Sequence, residues 1–359
     1  MATQKQFRLD FIDAARGLAV VFMIAVHTLE AYTHSYGQAT WLGQAIEFLG
    51  GMPAAPVFVT LMGFSFAIAK PKPLGHQLKR GVKLIVAGYG LNLVRGSLPM
   101  WLAKVSDAAF LQQWPLGVQD EILLLMIVDI LQFAGIAYII LALLKGAPKL
   151  LYLALSGICL MVAPYLWGAQ FGLPVIDWLL ELFVGDVPIG FAFMQNKVAF
   201  PVLPWLAFPL LGAYLGLHYK ARLATGTQVQ SLRWFTLLGA LLFSLGLLLC
   251  LQNPDYQFND YFHSREGAML LMQGFVILWL CALHWLTRFM ADSAVMGLLR
   301  QWSQGVTVIY IAQWILIIWC LPLFGLNANS IGSTLLLIVG FTFASHWLNI
   351  WAQKRGIRI

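Results

Sequence analysis

The chain is 359 residues long, 60% hydrophobic and only 10% charged, with a mean hydropathy of +0.78. Ordinary globular domains carry about 25% charged residues, so a soluble enzyme is excluded and a polytopic membrane protein is implied. The net charge of +7 points to a nucleic-acid or anionic-surface partner only until the charges are placed along the chain, where they sort by side of the membrane.

Ten apolar segments follow in chain order, at 12–33, 52–69, 82–103, 122–144, 150–168, 200–218, 234–251, 268–286, 305–322 and 331–351, each near the ~20 residues a span needs. They predict an all-α, polytopic transmembrane helix bundle of about ten spans, a single domain over 1–359 with both termini cytoplasmic. With the N-terminus inside, every Lys and Arg except Arg95, Lys104, Lys197 and Arg265 falls on the cytoplasmic side, while Asp107, Asp120, Asp177, Asp186, Asp255, Asp260 and Glu266 gather outside. This is the asymmetry of the positive-inside rule. The basic then apolar start is like a signal peptide, but the run is long and lacks a small-x-small cleavage site, so it is read as the first span. With short loops, this favours a bacterial inner membrane. Cys159, Cys250, Cys281 and Cys320 lie in apolar runs without a CxxC pair, which favours packing over a metal site; only Cys250 and Cys320, both near outer ends, are placed for a bridge.

An ionisable residue inside a span is costly and is a functional-site candidate. His27 and Glu30 lie in the first such segment, Arg95 in the third and Asp129 in the fourth. At a rise of ~1.5 Å per residue, His27 is about 15 residues into its span, Arg95 about 13 into the next helix of the same direction, and Asp129 about seven into a helix entering from outside. All three share a depth in the outer half and can face one cavity. Glu30 is on the His27 face and is expected to orient the imidazole or close the site, with His34 one further turn out. Imidazole suits proton abstraction from an alcohol or amine. Arg95 suits a developing oxyanion, with Asp129 fixing its geometry. Without chemistry, the same residues are a satisfied core histidine and a buried ion pair.

On the inner side, Arg16 beside Gly17 joins Lys79, Arg80 and Lys83 in a cationic collar. It suits the phosphates of a coenzyme or a lipid headgroup, or serves orientation alone. The outer loop from Asn253 to His263 mixes aromatic rings with hydrogen-bonding groups. That mix suits a sugar or polyol, or an interfacial aromatic belt.

The string Arg8-x-x-x-x-Asp13-x-x-Arg16-Gly17-Leu-Ala, leading to His27, resembles the first helix of the membrane acyltransferases, which include acyltransferase-3 enzymes and the heparan-α-glucosaminide N-acetyltransferase-like group. The latter group is matched better by Pro56-x-Phe58-x-x-x-x-Gly63-Phe-Ser, Asp129-x-Leu131-Gln132-x-x-Gly135-Ile and Phe200-Pro201-x-x-Pro204-Trp205-x-x-x-x-x-x-Gly212, with Gly305 and Tyr310 a weaker echo. The resemblance implies transfer of an acyl group, typically acetyl from cytoplasmic acetyl-CoA, to a hydroxyl or amine reached from the other side. His27 matches the first-helix histidine of the acyltransferase-3 branch; the other branch tends to carry an amide there and a histidine further out, near His34 and Trp41. The catalytic histidine is thus open between His27 and His34. Gln313 stands where relatives often carry a histidine. Expected partners are acyl-CoA, a sugar or glycan acceptor, membrane lipids and a second copy of the chain in a homodimer, with no nucleic acid and no metal. The competing readings are a transporter or flippase that uses the same charges as a permeation or proton route, and a silent membrane scaffold.

Overall fold

The computed structural model describes residues 9–106, 121–169, 171–185, 199–258 and 260–357. The outer-loop charges Asp107, Asp120, Asp186 and Lys197, together with Arg8 of the opening motif, lie outside the described residues. In an apolar medium the backbone must satisfy its own polar groups, and the described chain does so almost entirely as helix. Helix α1 (Asp10–Tyr32) leads to α2 (Trp41–Gly51) and α3 (Ala55–Ile68). Helix α4 (Leu74–Asn92) runs through a π-helical turn at Leu93–Ser97 into α5 (Leu98–Val105). There follow α6 (Glu121–Met126), α7 (Ile130–Leu143), α8 (Lys149–Leu166) and α9 (Pro174–Val184). Helices α10 (Ala207–Ala224), α11 (Gln228–Gln252), α12 (Glu266–Met290), α13 (Ala294–Gln304), α14 (Val306–Trp319) and α15 (Ile331–Lys354) complete the bundle.

All ten predicted segments meet helix, but not ten regular spans. Among the described residues seven stretches are long and apolar enough to cross a membrane, and the bent pair α13–α14 brings the number to eight. The difference lies in three irregular segments. The one predicted at 82–103 contains the π turn, the one at 122–144 breaks between Met126 and Ile130, and the one at 305–322 is the short α14, set at 83° to α13. The four cysteines are free thiols, so the Cys250–Cys320 bridge is not formed.

Lipid tails are as apolar as leucine, so membrane helices associate where small residues let backbones approach. A Cβ on Gly63 would lie 1.9 Å from the Pro209 carbonyl oxygen, and one on Gly212 would lie 1.9 Å from that of Thr60. These two glycines of the resemblance motifs are therefore the contact that seats α10 on α3. The opening motif has a similar role. Asp10 accepts from Arg300 Nε at 2.9 Å and Asp13 from Ser303 Oγ at 2.6 Å, while Gly17 leaves no room for a Cβ, which would lie 2.7 Å from the Leu299 carbonyl oxygen. Acidic groups in the first turn of α1 also suit its helix dipole. The motif thus docks α13 across the start of α1.

Candidate active site

The three irregular segments converge. The π turn carries Arg95, the break before α7 ends at Asp129, and α14 carries Tyr310, Gln313 and Trp314. π-Helical turns recur at functional sites. The break is tolerated because its freed carbonyls are satisfied: Asn92 Nδ2 donates to Leu125 O at 3.0 Å and Ile127 O at 2.6 Å, and Gln132 Nε2 donates to Ile127 O at 3.1 Å. Asp129 caps α7 by accepting from Ile130 N at 2.7 Å, and Gln132 Oε1 accepts from Asp129 N at 3.3 Å. This reciprocal cap accounts for the Asp129–Gln132 spacing in the sequence.

A cavity of about 510 Å³ opens above this cap, lined among others by His27, Glu30, Arg95, Asp129, Tyr310 and Trp314. The expected meeting of His27, Arg95 and Asp129 is thus present in space. Arg95 is 2% exposed. Its Nη2 donates to Asp129 Oδ2 at 2.5 Å and to Asn92 Oδ1 at 3.1 Å. Tyr310 Oη donates to the same Asp129 oxygen at 3.0 Å. Asp129 is therefore satisfied, but Arg95 is not, because its buried Nε and Nη1 have no partner among the described residues. A buried guanidinium with donors left over in this way is able to bind an anionic oxygen.

The Arg95 guanidinium lies 4.5 Å from the Trp314 ring centre, and Trp314 stacks on His27 with ring centres 4.2 Å apart. Gln313, fully buried, places Nε2 3.4 Å from His27 Nδ1. The sequence offered Glu30 either to orient the imidazole or to close the site, and left a role for Gln313 in doubt. Glu30 is exposed at the cavity edge with no hydrogen bond to His27 among the described residues, and it is the Gln313 amide that approaches the ring. His27 Nε2 has no hydrogen bond among the described residues. Glu47 joins Glu30 at the solvent edge, and Tyr261 and Phe262 of the aromatic outer loop line the same cavity. Tyr261 is tied by its hydroxyl to Gly51 O at 3.1 Å, and the Phe262 carbonyl accepts from Trp205 Nε1 at 2.8 Å. His263 lies beside them, and its hydrogen bond to Asp260, at 2.9 Å, holds that carboxyl below the usual carboxylate range.

His34 is placed elsewhere. Its Nδ1 accepts from Gly37 N at 3.0 Å, capping the helical turn Ser35–Gln38, and it does not line the cavity. The inner collar is divided. Arg16 is spent on Leu61 O at 3.2 Å and on Ser65 Oγ, Lys79 and Lys83 are exposed, and Arg80 lines a separate pocket with its guanidinium 5.4 Å from the Tyr138 ring.

A bundle of apolar helices around a cavity lined by histidine, arginine and carboxylate defines an integral membrane protein with a polar site inside its helix bundle. The sequence model of the heparan-alpha-glucosaminide N-acetyltransferase catalytic domain matches residues 8–246, well over half of the chain. The chain therefore belongs to this family of membrane acetyltransferases. No curated protein matches it. The matched stretch supplies His27, Arg95 and Asp129, whereas Tyr310, Gln313 and Trp314 come from beyond it.

Proposed function

We propose that this protein transfers an acetyl group from acetyl-CoA, delivered from the cytoplasm, to an amine of a sugar-like acceptor in the outer cavity, in a bacterial inner membrane. The observation that carries this reading is the pairing, in one cavity, of a His27 Nε2 and Arg95 N–H groups that have no partner among the described residues. The neutral amine nitrogen of the acceptor attacks the thioester carbonyl carbon and gives its proton to His27 Nε2, which is the unprotonated ring nitrogen when Nδ1–H donates to Gln313 Oε1 with that amide turned. Arg95 donates to the oxyanion from Nε or Nη1, with Asp129 and Tyr310 fixing the guanidinium. As the tetrahedral intermediate collapses, the C–S bond breaks and CoA leaves as a thiolate that takes up the proton. A route through acetyl-His27 uses the same atoms with the imidazole as nucleophile. Glu30 and Glu47 at the edge draw in a cationic amine in preference to a neutral alcohol, and the ammonium loses its extra proton to water before the neutral amine attacks; Tyr261 and Phe262 offer rings to a sugar face.

His27 is favoured over His34 because His34 Nδ1 is committed to a helix cap. The test is acetyl-CoA turnover by purified protein with an amino-sugar acceptor. His27→Ala is expected to abolish transfer in a folded protein, while His34→Ala retains it. Normal transfer by His27→Ala would sink the assignment.

A further inference from the structure

The four cations of the predicted collar do not share one place, yet the structure holds a basic pocket that the sequence did not delineate. It has a volume of about 220 Å³ and lies between the end of α3, the start of α4, α7, α8 and α10. Lys70, Lys72, Arg80, Lys145 and Lys220 line it, and no Asp or Glu does. Among the described residues none of the five forms an ion pair. Lys145 Nζ donates to the Lys72 carbonyl at 2.7 Å and Lys220 Nζ to that of Ala67 at 3.3 Å. Arg80 lies over the Tyr138 ring. The pocket thus gathers positive charge from four separate chain segments and anchors three of its carriers, with no counter-charge in place. Gln77, 6% exposed, also lines it and has an Oε1 without a partner among the described residues, an acceptor for a ligand hydroxyl.

Convergent like charges repel and are held together at a cost in stability, so their concentration in a concave site marks an anionic ligand. The distance to the outer cavity fits one such ligand. Helix α3 lines the cavity at Ala55 and the pocket at Phe66, and α7 lines them at Ile130 and Tyr138. Those separations along the helices are about 16 and 12 Å, within the reach of an extended phosphopantetheine arm. We infer that this pocket is a phosphate-binding site that holds the phosphates of the CoA donor while its thioester reaches toward His27. The assignment to the donor rests on the proposed acetyl transfer; the phosphate chemistry of the pocket does not. A lipid phosphate has the same chemistry and is the alternative source.

The experiment uses the full-length protein and the double substitution Lys70→Gln/Lys72→Gln, because neither ammonium makes a described hydrogen bond. The control, Arg233→Gln/Lys354→Gln, removes the same charge from surfaces outside the pocket. Binding of 3′,5′-ADP and of acetyl-CoA is measured directly, alongside turnover of acetyl-CoA and of S-acetylpantetheine, which has no phosphate. The pocket variant is expected to bind both nucleotides about tenfold more weakly and to raise KM for acetyl-CoA with kcat unchanged. Its turnover of S-acetylpantetheine should equal that of the parent. If acetyl transfer itself is absent, 3′,5′-ADP binding still reads the pocket. Unchanged nucleotide binding together with lost retention of phosphatidylglycerol from nanodiscs would keep the phosphate site and transfer it to lipid. Parent-like binding of nucleotide and lipid alike would overturn the proposal.

Discussion

The orientation of a single amide is linked to the tautomer of His27, because an Nε2 able to take a proton requires Nδ1–H and a Gln313 amide turned to accept from it. Gln313 is neutral and can either donate to Nδ1 or, with its amide turned, accept from it, so it fixes the ring without fixing a charge. A hydrogen bond of this kind is worth ~1 kcal/mol, which corresponds to about a fivefold change in rate. Gln313→Leu is therefore expected to lower kcat by about five- to tenfold and to move the pH profile of kcat, with KM for the donor unchanged. Gln313→His, which restores a ring nitrogen at this place, should recover most of the loss. An unaltered pH profile in Gln313→Leu would remove the amide from the mechanism. Arg95 offers a sharper contrast. Its removal would strand the Asp129 carboxylate at 13% side-chain exposure, and breaking such a buried pair costs about 3–5 kcal/mol, so Arg95→Ala would confound stability with rate. Arg95→Lys keeps the charge but loses the planar fork. It should fold with thermal stability near that of the parent and lose roughly 10²-fold in kcat; full activity would show that charge alone suffices.

At the level of elements, the regular helices were legible and the irregular ones were not. Apolar runs of about 20 residues are set by bilayer thickness, and rise per residue put His27, Arg95 and Asp129 at one depth before any contact was known. The π turn and the break at 127–129 left no such mark, because they depend on partners distant in the chain: Asn92 for the carbonyls of Leu125 and Ile127, and Gln132 for the cap. The two roles open to Glu30 could not be separated for a related reason. Helical periodicity fixes the face a side chain shares but not whether that end of the face is packed, and here it meets solvent. Asn92→Leu should accordingly lower the midpoint of detergent-induced unfolding and abolish activity, since two carbonyls and Arg95 lose one partner each; retained activity would mean that water replaces the amide. Helix α9 carries a second testable element. Burial pushes the Glu181 carboxyl up from 4.5 to about 8. Below pH 4.5 it is protonated in both states and has no effect on the pH dependence. Between 4.5 and 8 only the unfolded state is ionised, so stability falls as pH rises, and above 8 the effect levels off. Glu181→Gln should flatten this decline, and a stability curve identical to that of the parent would remove Glu181 as its source.

At the scale of the whole molecule, the site depends on a bend that lies outside the matched stretch of the chain. Helix α14 delivers Tyr310, Gln313 and Trp314 only because the chain turns by 83° between α13 and α14. Gly305 stands at that turn, in contact with α15: a Cβ there would lie 1.9 Å from Asn349 Oδ1. Helix α13 is itself tied to the first turn of α1 through Asp10 and Asp13. The same α1 carries His27, so its two ends engage both arms of the bend, one through α13 and the other through the stacking of Trp314. Gly305 was visible in the sequence as a weak echo of a family pattern, but its role was not, because the neighbour it must clear lies on α15. Gly305→Ala must displace either Asn349 or the start of α14, and a tilt there is amplified at Trp314, two turns further on. Small misplacements of catalytic groups lower rates by as much as 10²-fold. The variant is therefore expected to bind acetyl-CoA as the parent does, since the basic pocket lies on other helices, while kcat falls by at least tenfold. The double variant Gly305→Ala/Asn349→Ala, which opens the space that the new methyl requires, should recover part of the loss. Recovery would identify the crowding at α15 as the cause; equal activity of Gly305→Ala and the parent would show that the bend tolerates a side chain and that α14 is positioned from its far end.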